Sequence, residues 1–250
     1  MSEEYLELDV QMPRAFHQSD LNGFNSCPAK WALSKVNTYR SASDTTHLRL
    51  GSLVHDTIDK YYKMLDEVPN PNRAKILIQN LFEEKWRTGG IYELKAKYEK
   101  CLANYINFEI FRLETWKSYL PTKTEYRFKY KNGEFNYSGI IDFYSEVDGT
   151  MVDWKTSSDT QLTATHLRQA EIFRRAIPGM QTVIFVCLGS GSILTAPPMP
   201  DGWILEETRK FRDTVLTGKY LKKRNPWCTN CEEMWSCEFS DVKLWDDQIW

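Results

Sequence analysis

The sequence has few of the features that mark membrane, secreted or broadly basic proteins. It contains no apolar run long enough to cross a membrane, and its first residues include Glu3, Glu4 and Glu7 in place of the basic and apolar segments of a secretion signal. The formal net charge is −2, so basic side chains do not coat the surface, and any bound nucleic acid would be confined to a cleft. We expect a cytoplasmic protein that does not bind membranes.

Histidine is scarce, with four residues, but six cysteines are present. In a reducing compartment, cysteines at short spacing favour metal or redox chemistry over disulfide bonds. Three of them form a C-x2-C-x5-C pattern near the C-terminus: Cys228, Cys231 and Cys237. A tetrahedral thiolate site needs a fourth ligand, for which Cys27 is the best candidate. The spacing allows zinc or an iron-sulphur cluster, and reduced, unliganded thiols are the alternative. Cys101 and Cys187 lie in apolar patterns that predict core positions.

A hairpin is predicted in the middle of the chain. Residues 135–147 and 150–156 read as strands, and Asp148-Gly149 between them is a strong turn signal. A two-residue loop would pair Val147 with Thr150 and place Asp142 opposite Lys155.

Asp153 would lie on the same face of this hairpin, so that two carboxylates and one ammonium converge. Carboxylate oxygens suit Mg²⁺ or Mn²⁺, and a lysine beside them can orient or deprotonate a water molecule that attacks phosphorus. The pattern favours a metal-dependent phosphodiesterase site, with a surface ion pair as the alternative.

The remaining periodicities predict one integrated domain with three regions. Residues 1–120 form a helical region that contributes Cys27, within a single helix over residues 19–34, and His55, within a helix over residues 51–66. Residues 121–200 form a core in which a strand carries Glu125 and a helix over residues 162–176 carries Gln169. Residues 201–250 supply a helix and the cysteine knuckle, and residues 189–201, rich in glycine and proline, predict a loop.

Taken in order, these elements resemble the RecB-like branch of the PD-(D/E)XK nuclease superfamily, especially the iron-sulphur nucleases of CRISPR adaptation and of some bacteriophages. The resemblance spans nearly the whole chain, from Cys27-Pro28 through Gly139-x-x-Asp142 and Asp153-x-Lys155 to the terminal knuckle. It implies an α/β fold of restriction-endonuclease type, with a mixed central sheet flanked by helices, an N-terminal helical part and a C-terminal iron-sulphur module.

The resemblance also implies roles for the site residues. A divalent metal, Mg²⁺ or Mn²⁺, would be held by His55, Asp142, Asp153 and the backbone carbonyl of Trp154. Lys155 would act on the attacking water, Glu125 would be an acidic residue of the site, and Gln169 would lie near the substrate backbone. The four cysteines Cys27, Cys228, Cys231 and Cys237 would bind a structural 4Fe-4S cluster, with zinc as the second candidate.

Two positions depart from the family pattern: Ile141 replaces the proline of the superfamily's name, and Phe173 stands where tyrosine is usual. The implied function is a metal-dependent DNA exonuclease acting on single strands or duplex ends. A catalytically silent module of the same fold that binds DNA ends is the alternative. The implied partners are DNA and proteins of recombination, repair or CRISPR adaptation, in a bacterial host cytoplasm if the protein is encoded by a phage.

Overall fold

The computed structural model describes residues 4–36, 46–116, 120–224, 228 and 231. The helices are α1 (Gln18–Ser26), α2 (Pro28–Val36), α3 (Thr46–Lys63), α4 (Pro71–Gly89), α5 (Lys95–Thr115), α6 (Ala164–Ala176) and α7 (Trp203–Thr217), with a 3₁₀ turn at Tyr92–Leu94. The strands are β1 (Tyr5–Glu7), β2 (Lys123–Asn132), β3 (Phe135–Ser145), β4 (Thr150–Lys155), β5 (Thr182–Cys187), β6 (Ser192–Ala196) and β7 (Lys219–Leu221). None of the described helices is both long and apolar enough to span a membrane.

The chain divides into two compact units. The first comprises Met1–Ser43, Lys131–Tyr137 and Pro200–Trp250. Its described part contains α1, α2, α7 and a two-stranded antiparallel sheet in which β1 pairs with β7. Aromatic rings build its core, because Phe211 packs edge-on against Phe16 at 5.2 Å and against Trp31 at 4.5 Å between ring centroids.

The second unit comprises Asp44–Tyr130 and Ser138–Met199 and contains most of the mixed sheet. The strand order is β2-β3-β4-β5-β6, in which β4 and β5 are parallel while β3-β4 and β5-β6 are antiparallel. A parallel pair needs a crossover connection, and α6 supplies it. The predicted α/β class with a mixed central sheet is confirmed.

Helices cover both faces of this sheet. Side chains that alternate along the strands, including Phe143, Trp154 and Val186, join one apolar core with α3, α4 and α5. On the other face, α6 packs Phe173 against Phe128 at 5.5 Å and His166 against Phe185 at 4.7 Å. The sheet is therefore covered on both sides, so acidic side chains on β3 and β4 are largely withdrawn from solvent.

Several local predictions were wrong. The strands β3 and β4 pair Ser145 with Thr150, so the loop has four residues, and the predicted register was displaced by two. The single helix predicted over residues 19–34 is two helices that meet at Cys27, whose extended backbone (φ −158°) is the conformation favoured before Pro28. The segment predicted as a loop over residues 189–201 contains β6.

Candidate metal centre

The hairpin β3-β4 places two acidic side chains next to each other on one face of the sheet. The Asp142 carboxylate accepts a 2.8 Å hydrogen bond at Oδ2 from the backbone N–H of Trp154, which fixes its orientation. Asp153 lies in β4, and its side chain is only 4% exposed, against 9% for Asp142. Two nearly buried carboxylates thus share a small volume in which neither is fully hydrated.

His55 on α3 and Glu125 on β2 complete a group of potential ligands around Asp142. His55 Nδ1 lies 3.4 Å from Asp142 Oδ1 and 4.0 Å from Glu125 Oε1. One ligand atom from each of the three residues lies within 4.8 Å of the other two. Glu125 reaches this position with a left-handed backbone (φ 46°), a conformation that residues other than glycine rarely adopt.

Lys155, Asp153 and Gln169 form a closed polar triangle beside these ligands. Lys155 Nζ lies 2.6 Å from Asp153 Oδ2 and donates a 2.9 Å hydrogen bond to Gln169 Oε1. The Gln169 side-chain amide in turn donates to Asp153 Oδ1. The lysine head group is therefore held in place by two partners, one on β4 and one on α6.

The charges of the site favour a bound cation. Burial lowers the pKa of His55, but the negative charges of Asp142 and Asp153 outweigh this and raise the pKa to about 9. Burial raises the pKa of Asp153 to about 6, against the opposing charge of Lys155. Burial and the Asp142 charge also raise the pKa of Glu125. The three carboxylates lie close together and repel one another, and a divalent cation bound between them would reduce this repulsion.

The donor set fits Mg²⁺ or Mn²⁺. These ions prefer carboxylate and carbonyl oxygens, and Mn²⁺ also accepts an imidazole nitrogen. Among the described residues, Asp153 Oδ2 is a buried oxygen that accepts no hydrogen bond of good geometry, although the Lys155 ammonium lies beside it. A buried carboxylate oxygen that contacts a cation and accepts no well-directed hydrogen bond is a suitable metal ligand.

All six residues predicted from the central motifs are brought together, namely His55, Glu125, Asp142, Asp153, Lys155 and Gln169. Asp59 is a further acidic residue near the site that the sequence motifs do not include; it lies one helical turn after His55 and helps to raise the pKa of Glu125. Its Oδ2 accepts from Lys63 at 2.6 Å, and its Oδ1 is buried without a hydrogen-bond partner in the described part of the chain. The i, i+4 spacing from His55 was the available signal.

The three predicted cluster ligands that the structure describes, Cys27, Cys228 and Cys231, do not form a comparable group. Cys27 is buried where α1 meets α2, and the N–H of Cys231 donates to the carbonyl of Cys228 at 3.3 Å. Within the described residues, no group of three potential ligands includes any of these cysteines. Cys237 lies outside the described residues.

Comparison with protein families gives a match by sequence. A model of the PD-(D/E)XK nuclease superfamily matches residues 15–187, a span that holds the whole candidate metal centre but ends before the last three cysteines. No curated protein matches the sequence significantly. Among solved structures, the chain is similar to a protein from Eubacterium rectale that is provisionally described as an exonuclease. The two share 10% sequence identity with a TM-score of 0.48, and the match covers 82% of this chain and 81% of that chain.

Proposed function

Because the chain belongs to the PD-(D/E)XK nuclease superfamily, we propose that it is a divalent-metal-dependent deoxyribonuclease that degrades DNA from its ends. The substrate is a single strand or a duplex end, and the reaction is hydrolysis of a phosphodiester bond. Water supplies the oxygen that forms the new bond to phosphorus, the bond to the leaving sugar oxygen breaks, and that oxygen takes up a proton.

The observation that carries this proposal is the convergence of three acidic side chains, one histidine and one lysine where the strands β2, β3 and β4 meet α3. Two of these carboxylates are nearly buried, and one ligand atom each from His55, Glu125 and Asp142 lies within 4.8 Å of the other two. A surface ion pair was the alternative reading of the hairpin. The burial of Asp142 and Asp153 argues against that alternative.

We assign cation binding to His55, Asp142 and Asp153, with Glu125 as a further carboxylate and the Trp154 carbonyl as a backbone ligand. Within an extended strand the N–H and C=O of one residue point to the same side, and the Trp154 N–H already points to Asp142. When bound, Mg²⁺ or Mn²⁺ polarises the scissile phosphate and stabilises its developing negative charge.

Lys155 positions the attacking water in this proposal. The charge of Asp153 overrides burial and raises the pKa of Lys155, so its ammonium is charged at neutral pH and acts as a hydrogen-bond donor. Asp153 and Gln169 hold this donor at a fixed point near the carboxylates. In this proposal the Gln169 amide contacts the DNA backbone once substrate displaces one of its present partners, Lys155 and Asp153.

Digestion of labelled DNA tests this function. Linear single strands and duplexes, labelled at either end, and a covalently closed circle are incubated with Mg²⁺, Mn²⁺ or chelator. We expect metal-dependent loss of label from linear DNA, intact circles, and no digestion by Asp153→Asn, which keeps the shape of the side chain. Cleavage of the circle would refute the exonuclease mode. Intact DNA in every reaction would favour the silent end-binding module.

A structural 4Fe-4S cluster on Cys27, Cys228, Cys231 and Cys237 is a separate part of the proposal, supported by the C-x2-C-x5-C spacing and the family resemblance. We expect anaerobically purified protein to contain iron and sulphide. Cys231→Ser should lose both and become less soluble. Cys101→Ser, which changes a buried cysteine on α5, should retain both. Equal iron content in the two variants, or zinc in the native chain, would contradict the cluster.

A further inference from the structure

A second group of potential ligands lies beside the start of α6, on residues that the proposed hydrolysis does not use. Asp159 belongs to the loop between β4 and α6, His166 to the first turn of α6, and Cys187 is the last residue of β5. One ligand atom from each lies within 4.8 Å of the other two. Three separate elements therefore bring an oxygen, a nitrogen and a sulphur atom to one point.

We propose that Asp159, His166 and Cys187 form a structural site for a transition metal ion of the zinc class. Thiolate and imidazole are soft or borderline ligands that select zinc, whereas the centre around Asp142 is rich in oxygen and suits magnesium or manganese. The chain would then hold two metals of different chemistry on one sheet. The second site does not depend on the nuclease proposal.

The spacing of the nitrogen and oxygen atoms is close to that around a tetrahedral ion. His166 Nε2 lies 3.8 Å from Asp159 Oδ2, which is too long for a hydrogen bond. A tetrahedral zinc ion with bonds of about 2.0–2.2 Å to nitrogen and oxygen holds these two atoms roughly 3.3–3.5 Å apart, so a shift of a few tenths of an ångström in the partly exposed Asp159 side chain brings both to the ion. Cys187 and His166 are buried, while the Asp159 side chain is 42% exposed, so that a water molecule can complete the coordination from the solvent side.

The residues around the ligands can fix their orientation. Ser157 Oγ donates a 2.8 Å hydrogen bond to Asp159 Oδ2. Thr163 Oγ1 lies 3.1 Å from His166 Nδ1. Metal binding through Nε2 requires the tautomer in which Nδ1 donates a hydrogen bond to this oxygen and no longer accepts one from the Thr163 N–H. A histidine that binds a metal through one nitrogen usually donates from the other in this way.

Binding also has a defined proton balance. Burial raises the pKa of Cys187, so the metal-free chain carries a thiol there, and the ion displaces one proton as the sulphur–metal bond forms. The His166 ring proton moves from Nε2 to Nδ1 without leaving the residue. The ion would tie the loop that follows Lys155 to the end of β5 and to the helix that carries Gln169.

The rival explanation is that His166 only caps α6. The N–H of Thr163 donates to His166 Nδ1 at 3.1 Å, and the His166 N–H donates to Thr163 Oγ1 at 3.4 Å, which together make a capping box. In that case Cys187 is an ordinary core residue. The two explanations differ in whether the sulphur atom binds an ion and in which nitrogen of His166 carries the proton.

Titration with Co²⁺ under anaerobic conditions and in excess Mg²⁺ separates them, because cobalt replaces zinc and absorbs in the near ultraviolet when bound to thiolate. We expect Cys187→Ser to bind about one equivalent less than the native chain and to lose part of this absorption. Cys101→Ser, a matched buried cysteine, should behave like the native chain. Signals from Cys27, Cys228, Cys231 and Cys237 are common to all three proteins and cancel in the difference.

A second variant guards against misfolding of Cys187→Ser. Asp159→Asn changes a partly exposed side chain, and we expect it to weaken Co²⁺ binding at least about tenfold while the chain stays folded. Identical titrations for the native chain, Cys187→Ser and Asp159→Asn would overturn the proposal and leave the capping role of His166. DNA digestion is not part of this test, so a negative result for the zinc-class site would leave the nuclease proposal unaffected.

Discussion

At the scale of single residues, Glu125 has an unusual backbone. Its φ of 46° is the only positive value at a residue other than glycine in the described part of the chain. Such a conformation costs about 1–3 kcal/mol and persists only where the surrounding structure imposes it. Here it turns a carboxylate of β2 toward His55, so the strain coincides with the candidate metal centre.

Two substitutions separate this strain from the carboxylate. Glu125→Gly and Glu125→Ala remove the same charge, but only glycine adopts positive φ without a steric cost. We expect the glycine variant to be the more stable of the two, with a free energy of unfolding roughly 1 kcal/mol higher than that of the alanine variant. Urea denaturation in the presence of chelator measures this difference. An alanine variant as stable as the glycine variant would show that the backbone at Glu125 is not strained.

A buried ion pair stabilises the helical layer of the second unit. Glu109 on α5 pairs with Arg112 at 2.7 Å and accepts hydrogen bonds of 2.9 Å from Tyr61 and Tyr62 on α3. Both charged side chains are at most 1% exposed. Removal of one partner would leave the other charge buried without compensation.

We therefore expect Glu109→Gln to lower the free energy of unfolding by about 3–5 kcal/mol. Glu114→Gln, an exposed position on the same helix, should change it by less than about 0.5 kcal/mol. Chemical denaturation of both variants checks this. Equal stabilities would mean that the ion pair adds little to the packing of α3 against α5.

At the scale of elements, the hairpin shows what the sequence could and could not predict. Asp142, Asp153 and Lys155 were placed on the correct face of the hairpin although the register was wrong, because side chains alternate with period two and a displacement of two leaves every face unchanged. The loop length depends on distant contacts. Gly149 O accepts hydrogen bonds of 2.8 Å from Gln181 and 3.0 Å from Thr182, and no local pattern records them.

Other errors have similar causes. The strand β6 lies in a segment where glycine and proline indicate a loop, and it exists because β5 offers an edge for pairing. The short strands β1 and β7 stabilise each other across most of the chain, so neither could be predicted alone. The family resemblance supplied His55 and Gln169, since a lone histidine or glutamine on a helix has no distinctive spacing.

Gly139 provides a test of how β3 is positioned. A Cβ atom there would lie 2.7 Å from the ring of Phe128, which packs against Phe173 of α6. We expect Gly139→Ala to cost about 1–3 kcal/mol of stability through overpacking. In contrast, Gly51→Ala in α3 meets only an ordinary contact at 4.0 Å and should be neutral or stabilise by up to about 1 kcal/mol.

Thermal unfolding of the two alanine variants compares them directly. A Gly139→Ala variant that melts at the native temperature would mean that Phe128 can move aside without cost. The sequence indicated this glycine only as part of the motif Gly139-x-x-Asp142, and the structure supplies the packing reason.

At the scale of the whole molecule, a cation bound at the acidic centre would raise the free energy of unfolding in addition to its role in hydrolysis. A cation that binds the folded chain alone raises its stability by about 2.7 kcal/mol at a concentration 100 times the dissociation constant. We expect Mn²⁺ to raise the melting temperature of the native chain and of Glu93→Gln, an exposed control. Asp142→Asn should lose this effect while keeping its hydrogen bond from Trp154.

The nuclease account is tested most directly by the rate of DNA cleavage under single-turnover conditions with Mn²⁺. The account predicts that Lys155→Ala, which removes the donor held by Asp153 and Gln169, cleaves at least about 100-fold more slowly than the native chain. Lys100→Ala, an exposed lysine on α5, should cleave at the native rate. Native-rate cleavage by Lys155→Ala in folded, metal-loaded protein would contradict the account.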